Sequence, residues 1–268
     1  ALLACAAYLL EEEFNAVSPF ILTCIEDNLK RRILLPYLTA HFWWMGHDDE
    51  PMCNWTVWCT QNVLLTTFLM PWSVEMSSRL SSPVRTFCGN APLFLPENTS
   101  DTVVTLQAIL HKAAESCDYF LKDYGNDGCC EEGAQYYRHA GLCLYGAMTV
   151  LNTVTDGHFN TLFRWDKVKN IASYILNVHV NDKYYFNFAD CSPIAGRAGV
   201  REYLFGKATG QADLCLFAAK DFQAGQGQLV TDEVNGGNLF YRMQTVFHYE
   251  ELMQQNTSGI LSHRDVYY

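Results

Sequence analysis

A short run of chemically capable side chains extends from Asp127 to His139 and begins within the turn-forming residues Asn126-Asp127-Gly128. Within it, Glu132 and Tyr136 are four positions apart, and Tyr136 and His139 are three apart. On a single helix this spacing puts the three side chains on one face. A phenol beside a charged partner can exchange protons with a bound molecule. The run therefore predicts a helix from Glu132 onwards with a proton-transfer site centred on Tyr136.

The side chains in this run also have structural interpretations. Glu132 suits a helix start, where a carboxylate accepts backbone N–H groups and complements the helix dipole. Tyr136 and Tyr137 are adjacent, so one of them is expected to face the core. Arg138 is expected to be a solvated charge, with substrate contact as the alternative. His139 is either a further site residue or a structural imidazole.

Composition excludes several classes of protein. The 268 residues are 49% hydrophobic and 18% charged, which indicates a folded globular chain. The formal net charge of −11 argues against a nucleic-acid binder. No apolar run approaches the roughly 20 residues of a membrane span, so no membrane association is predicted.

The cysteines predict a reducing environment. There are eleven, an odd number without regular spacing, and several, including Cys24, Cys59, Cys143 and Cys215, lie in apolar helical patterns. We therefore expect free thiols and a cytoplasmic protein. No Cys or His pair has zinc spacing, so no metal is predicted, and nothing in the sequence calls for a cofactor. The oligomeric state cannot be predicted from the sequence.

Apolar residues recur with helical period along most of the chain. Helices are expected from Pro19 to about Pro36 and from Asn54 to Pro71, with Asn54 as the N-cap of the second. The proline-rich residues 82–98 indicate a loop, and residues 184–188 alternate like a strand. The predicted fold is all-α, with antiparallel helix hairpins arranged in an incomplete ring, an (α/α) toroid. One domain over 1–268 is expected, because no repeat or linker divides the chain.

Five segments together resemble the heparinase II/III-like polysaccharide lyases. They are Arg32-Ile33-Leu34-Leu35-Pro36-Tyr37-Leu38, Trp43-Trp44-Met45-Gly46, Asn54-Trp55-Thr56-Val57-Trp58, Asp127-Gly128 followed by Glu132-Gly133 and Tyr136-Tyr137, and Tyr185-Phe186-Asn187-Phe188-Ala189-Asp190. Their order and spacing carry the likeness. The family, which is bacterial in character, joins an N-terminal (α/α) toroid to C-terminal β-sandwich sheets. The resemblance implies that this chain is the toroid alone, truncated at both ends, without the β-sandwich domain.

The resemblance also implies a reaction and its residues. Family members cleave uronic-acid polysaccharides by β-elimination, so the implied partner is an acidic polysaccharide or oligosaccharide. Tyr136 matches the catalytic tyrosine and Asn54 the carboxylate-binding asparagine, and His139 is a further candidate catalytic residue. Trp55 stands where the family often has histidine. Candidate substrate contacts are Trp43, Trp44, Trp55, Glu132, Tyr137 and Arg138. Asn54 and Tyr136 are expected to line one cleft, and the isolated toroid is expected to be catalytically incomplete.

Two other functions fit the same sequence. A glycoside hydrolase on this scaffold needs two carboxylic acids facing each other, and the sequence offers Asp127, Glu131, Glu132 and Asp190 without singling out a pair. A non-catalytic carbohydrate-binding helical domain is the third interpretation, because an α/α scaffold does not fix its function.

Overall fold

A computed structural model describes residues 1–46, 51–72, 106–229 and 238–258 of the chain. Helix accounts for 68% of the described residues and strand for 3%, which confirms the predicted all-α class. The ring arrangement of a toroid stays a prediction. The predicted loop at 82–98 lies outside the described residues. No helix in the described ranges combines the length and the apolar character needed to cross a membrane.

The described residues form the following elements, given in chain order. The helices are α1 (Leu2–Leu9), α2 (Glu11–Val17), α3 (Phe20–Leu29), α4 (Leu35–Thr39), α5 (Asn54–Leu69), α6 (Leu106–Asp123), α7 (Ala134–Tyr137), α8 (Gly141–Val154), α9 (Asp166–Asn177), α10 (Val200–Thr209), α11 (Ala212–Ala224), α12 (Leu239–Phe247) and α13 (Tyr249–Gln254). A π-helical segment, Lys30–Leu34, joins α3 to α4, and 3-10 turns cover Trp43–Met45 and Asn160–Arg164. Two strands, β1 (His179–Asn181) and β2 (Tyr184–Tyr185), pair antiparallel.

The chain forms two compact units, and each is described by itself. Unit 1 consists of Ala1–Phe120 and Ala147–Asp156, and unit 2 of Leu121–Gly146 and Gly157–Tyr268. The single-domain boundary expected from the sequence stays a prediction.

Unit 1 is built around α5. This helix is buried on several sides, so that polar residues such as Thr60 and Gln61 are as inaccessible as Leu64. One apolar cluster joins α4, α5 and α6 through residues including Leu34, Val63 and Ile109, and a second joins α1, α3 and the end of α5 through residues including Ala4, Leu29 and Met70. The helix predicted from Asn54 is confirmed, and it ends at Leu69. The stop expected near Pro36 is wrong, because Pro36 lies in the first turn of α4, where proline needs no N–H partner.

In unit 2, α10 packs mainly against α11, and it also contacts α9 and α12. Tyr145 stacks on Phe205 with ring centroids 4.6 Å apart, and both side chains are buried. The strand predicted at 184–188 is shorter than expected, since only Tyr184–Tyr185 pairs with β1. The Phe186 N–H then donates to the Val178 carbonyl at 2.9 Å, and the chain leaves the hairpin.

The helix predicted to start at Glu132 does not exist as one element. Gly133 has φ +90°, which ends the preceding turn, and α7 covers only Ala134–Tyr137. The three residues from Arg138 to Ala140 form a turn before α8. Glu132 is therefore outside the helix, and the argument that it shares a face with Tyr136 is wrong.

Ten cysteines fall within the described residues, and all are free thiols, as predicted. Several are buried, including Cys117 and Cys143. The Cys143 thiol lies within hydrogen-bond distance of the Arg138 carbonyl and of the Arg201 guanidinium. Cys24 is exposed, so its predicted core position is wrong.

Candidate functional site

The loop before α7 is fixed to α9 by hydrogen bonds from side chains to main chain. The Asn170 side chain donates to the Asn126 carbonyl at 2.8 Å, and the Tyr174 hydroxyl donates to the Cys130 carbonyl at 3.3 Å. Lys167 donates to the Leu121 carbonyl. Within the loop, the Cys129 N–H donates to the Asp127 carboxylate at 3.0 Å, which closes the turn predicted at this point.

Two glycines of this loop make contacts that a larger residue would prevent. At Gly128, with φ +77°, an added Cβ would lie 2.2 Å from the Asn170 carbonyl carbon on α9. At Gly133, with φ +90°, it would lie 2.5 Å from Cys191 Cβ and 2.9 Å from the Phe188 carbonyl oxygen. The start of α7 is thus set against both α9 and the segment that follows β2.

Substituting Gly133 tests how tightly this loop holds the start of α7. Gly133→Ala should destabilise unit 2 by more than the roughly 1–2 kcal/mol that left-handed backbone costs a residue with a Cβ, because Cβ also meets Cys191. Gly157→Ala is the matched control, since Gly157 has φ +83° but nothing within 4 Å of an added Cβ. Thermal unfolding measures both, and an equal loss of stability in the two variants would show that the contact with Cys191 is unimportant.

Two of the predicted catalytic residues, Tyr136 and His139, lie close together in unit 2. Their ring centroids are 5.7 Å apart with an interplanar angle of 45°. Tyr136 is half-buried and His139 is 3% exposed. The His139 N–H donates to the Tyr136 carbonyl at 2.9 Å, so the turn after α7 sets the spacing of the pair. A half-buried tyrosine therefore lies against a buried imidazole.

Tyr137, the last residue of α7, is fully buried. Its hydroxyl donates to the Ala172 carbonyl on α9 at 3.1 Å, and its ring contacts Tyr174. Burial raises the pKa of Tyr137 well above its ordinary value, so the phenol stays protonated and acts as a donor. The structure gives Tyr137 the packing role considered above, and a substrate contact by this residue stays a prediction that its burial disfavours.

Arg138 is not the solvated charge that the sequence suggested. Its side chain is 2% exposed, its Nε donates to Glu202 Oε1 at 3.2 Å, and its Nη1 donates to the Ala195 carbonyl. Its guanidinium also lies 5.9 Å from the centre of the Tyr185 ring. This burial likewise disfavours the predicted substrate contact, and the residue instead ties the turn after α7 to α10.

Two further charged residues complete this buried network. The Arg201 Nη2 donates to the Arg138 carbonyl at 2.9 Å, and its guanidinium lies 4.0 Å from the centre of the Tyr241 ring. The second carboxylate oxygen of Glu202 accepts the Gly199 N–H at 3.0 Å at the start of α10. A buried charge is tolerated only when it is paired and hydrogen-bonded, and these contacts fix the main chain between Tyr136 and His139.

An exposed loop lies beside the start of α7. The side-chain oxygen of Gln135, the residue before Tyr136, accepts the Ser192 N–H at 3.3 Å. This hydrogen bond holds the loop against α7. Within this loop Asn187, Phe188 and Asp190 are exposed. Glu132 is half-buried in the turn that precedes Gly133. The exposed residues of this loop offer polar and aromatic groups near the start of α7.

Asn54 lies in unit 1, at the first position of α5, and is 6% exposed. The predicted N-cap role is wrong, because Cys53 is the N-cap. The Thr56 hydroxyl accepts the Cys53 N–H at 3.4 Å and donates to the Trp44 carbonyl at 2.6 Å. The start of α5 is thereby joined to the 3-10 turn that carries Trp43 and Trp44. Whether Asn54 and Tyr136 line one cleft stays a prediction.

Trp43 and Trp55, the second of which follows Asn54, form an exposed aromatic pair. They are 61% and 47% exposed, and their ring centroids are 5.7 Å apart. Trp44 differs, since it is half-buried and stacks on Phe42 at 5.6 Å. Large indole faces left in water can stack on the apolar faces of sugars, so a substrate contact by Trp43 and Trp55 stays a prediction that their exposure allows. Trp44 instead packs in the turn.

The aromatic pair gives a binding prediction. Replacing Trp43 and Trp55 together by alanine should weaken oligosaccharide binding by about tenfold or more, since each stacking contact contributes on the order of 1 kcal/mol. Trp165→Ala is the control, because Trp165 is 52% exposed in unit 2. Quenching of tryptophan fluorescence by oligosaccharide measures the affinity. Equal affinity in the double variant and the control would remove the pair from the binding surface.

Local sequence spacing did not link Glu202 or Gln135 to this site. Glu202 follows Arg138 by 64 positions, so no local spacing links them. The one usable signal was Glu202 three positions after Gly199, which matches the carboxylate of a capping box. No group of three or more His, Cys, Asp or Glu side chains in the described ranges is arranged to hold a metal ion.

Comparison with known proteins assigns no family to the chain. No protein-family model matches it, and no curated protein matches its sequence.

Proposed function

We propose that this chain is the helical part of a polysaccharide lyase of the heparinase II/III-like kind, with the toroid arrangement of that family. Its substrate is a uronic-acid polysaccharide, which it cleaves by β-elimination. The observation that carries the proposal is the contrast within one short run. Tyr136 is half-exposed, whereas Tyr137, Arg138 and His139 are buried and fixed around it.

The reaction needs three things from the protein. The uronate carboxylate must be polarised, so that the C5 proton becomes acidic enough to remove. A base takes that proton, the electron pair of the C5–H bond forms the C4–C5 double bond, and the C4–O bond breaks. The leaving glycosidic oxygen then takes a proton from an acid. Tyr136 has a phenol suited to either proton transfer, and Asn54 has an amide N–H suited to the carboxylate.

The surroundings of Tyr136 suit this role. The buried His139 imidazole lies against its ring, and the ion-paired Arg138 and the buried Arg201 hold the main chain that follows Tyr136. A general acid or base works when it is held within hydrogen-bond reach of its proton. The glycine contacts and the buried ion pair supply that fixed position, and Tyr136 itself is only half-buried.

Asn54 is assigned from the family resemblance, and its position allows a clean test. Asn54→Ala in the complete protein should slow turnover by about 10²-fold, the typical cost of one oxyanion-stabilising donor. Loss of helix capping should not confuse the result, because Cys53 is the N-cap. Turnover and thermal stability measured together test this. A loss of stability without a loss of turnover would give Asn54 a purely structural role.

The proposed activity is tested directly with the complete protein. It should be incubated with a panel of uronic-acid polysaccharides, with a neutral polysaccharide as control, and absorbance followed in the near ultraviolet. Elimination leaves an unsaturated uronate that absorbs there, so absorbance should rise with at least one acidic substrate. Cleavage without a rise in absorbance would indicate a hydrolase, and binding without cleavage would indicate a carbohydrate-binding domain.

A further inference from the structure

A pocket lies in unit 2, and none of the side chains assigned to proton transfer lines it. It has a volume of about 390 Å³, within the ~300–1,000 Å³ of small-molecule sites. Its walls come from the β1–β2 turn, the strand-like segment before α10 and the C-terminal end of α11. Its lining side chains are mainly polar, with Lys183, Arg197, Asp221, Gln226 and Gln228 among them.

Arg197 and Asp221 form the centre of this pocket. The Arg197 Nη1 donates to Asp221 Oδ1 at 3.0 Å, and its Nη2 donates to Asp182. The other Asp221 carboxylate oxygen accepts the Ala198 N–H at 2.7 Å. The Asp221 side chain is 9% exposed and that of Arg197 is 21% exposed. The two groups are therefore held rigidly by each other and by the main chain.

The turn after α11 places Gln226 at the pocket in an unusual backbone conformation. Gln226 has φ +59° and Gly227 has φ +65°. The Gly227 N–H donates to the Phe222 carbonyl at 3.0 Å, which closes the end of the helix. A side chain other than glycine in left-handed backbone costs free energy, and such residues cluster at ligand sites. Glycine would suit this position better on backbone grounds alone.

Charge balance indicates what such a pocket would hold. The cations Lys183 and Arg197 are matched by the carboxylates Asp182 and Asp221, so the formal charges cancel. A charged ligand would have to compete with these existing ion pairs. Hydrogen-bonding capacity remains, because each Asp221 oxygen has more lone pairs, and the guanidinium more N–H donors, than these contacts use. The two glutamine amides add donors and acceptors.

We propose that this pocket binds a neutral, hydroxyl-rich ligand of sugar size. Each hydroxyl of such a ligand both donates and accepts, which matches a wall of carboxylate, guanidinium and amide groups. The site is separate from the proposed lyase chemistry, which requires an anionic substrate, and it stands whether or not the chain is a lyase.

Calorimetric titration of the protein with a panel of neutral mono- and disaccharides tests the proposal, with glucuronate and glycine as charged comparisons. At least one neutral sugar should bind more tightly than either charged compound. Gln226→Gly should weaken that binding by about tenfold, through the lost amide contacts, while preserving the fold because it relieves the left-handed backbone. Gln254→Ala is the control, since Gln254 is exposed on α13 and does not line the pocket.

Three results would overturn the proposal. They are the absence of binding by any neutral sugar, tighter binding of glucuronate or glycine, and unchanged affinity in Gln226→Gly. An adverse result would leave the ultraviolet assay for the lyase unaffected, so the two proposals fail separately.

Discussion

Replacing Tyr136 by phenylalanine should remove nearly all turnover from the complete protein and leave its fold intact. The ring keeps its contact with His139, and a half-buried residue loses only its hydroxyl. A positioned acid or base contributes about 10²–10⁴-fold to a rate, so the turnover number should fall by that factor. The Michaelis constant should change little, because the hydroxyl acts on the reacting atoms rather than on binding. Steady-state kinetics on the acidic substrate measures both.

The adjacent tyrosine provides the matched control. Tyr137→Phe removes a hydroxyl that donates to the buried Ala172 carbonyl, so it should cost about 1–3 kcal/mol of stability. Turnover at a temperature where the variant is folded should stay within a few-fold of the original protein. If Tyr137→Phe abolishes turnover and Tyr136→Phe does not, the catalytic assignment belongs one residue later. If neither variant loses activity, this run is not the active site.

The second large effect is expected at the buried Arg138–Glu202 pair. Arg138→Leu should lower the free energy of unfolding by about 3–5 kcal/mol, because it leaves the Glu202 carboxylate buried without its cationic partner. The Ala195 carbonyl also loses a donor. Chemical denaturation followed by tryptophan fluorescence gives the change in stability.

An exposed arginine gives the comparison. Arg31 pairs with Asp27 one helical turn away, and its side chain is 69% exposed. Arg31→Leu should change stability by about 0–1 kcal/mol, as is usual for a surface pair. A similar small change in Arg138→Leu would mean that the buried pair contributes little to holding α7 and α10 together.

The helices that the sequence predicted well are those with one dominant environment. The helix from Asn54 to Leu69 was predicted almost to the residue, because its start follows a polar loop and its end meets Pro71. By contrast, the bounds of α10 were not predicted. Its buried residues include Val200, Arg201 and Glu202, so charged and apolar side chains face the interior together and erase the helical period.

The candidate site was predicted in part. The pairing of Tyr136 with His139 follows from their spacing of three, which survives the break between α7 and α8. The position of Glu132 could not be predicted, because Gly133 has φ +90° at a point where Cys191, far away in the sequence, leaves no room for a Cβ. The burial of Arg138 depends on Glu202 and Ala195, which only the tertiary structure brings to it.

The most direct test of the central claim is to digest an acidic polysaccharide with the complete protein in water labelled with heavy oxygen. β-Elimination adds no water to its products, so the proposal predicts unsaturated fragments without label, as measured by mass spectrometry. Hydrolysis adds one water at each cut. Saturated fragments that carry the heavy oxygen would contradict the lyase reaction and point to a pair of carboxylic acids in place of Tyr136.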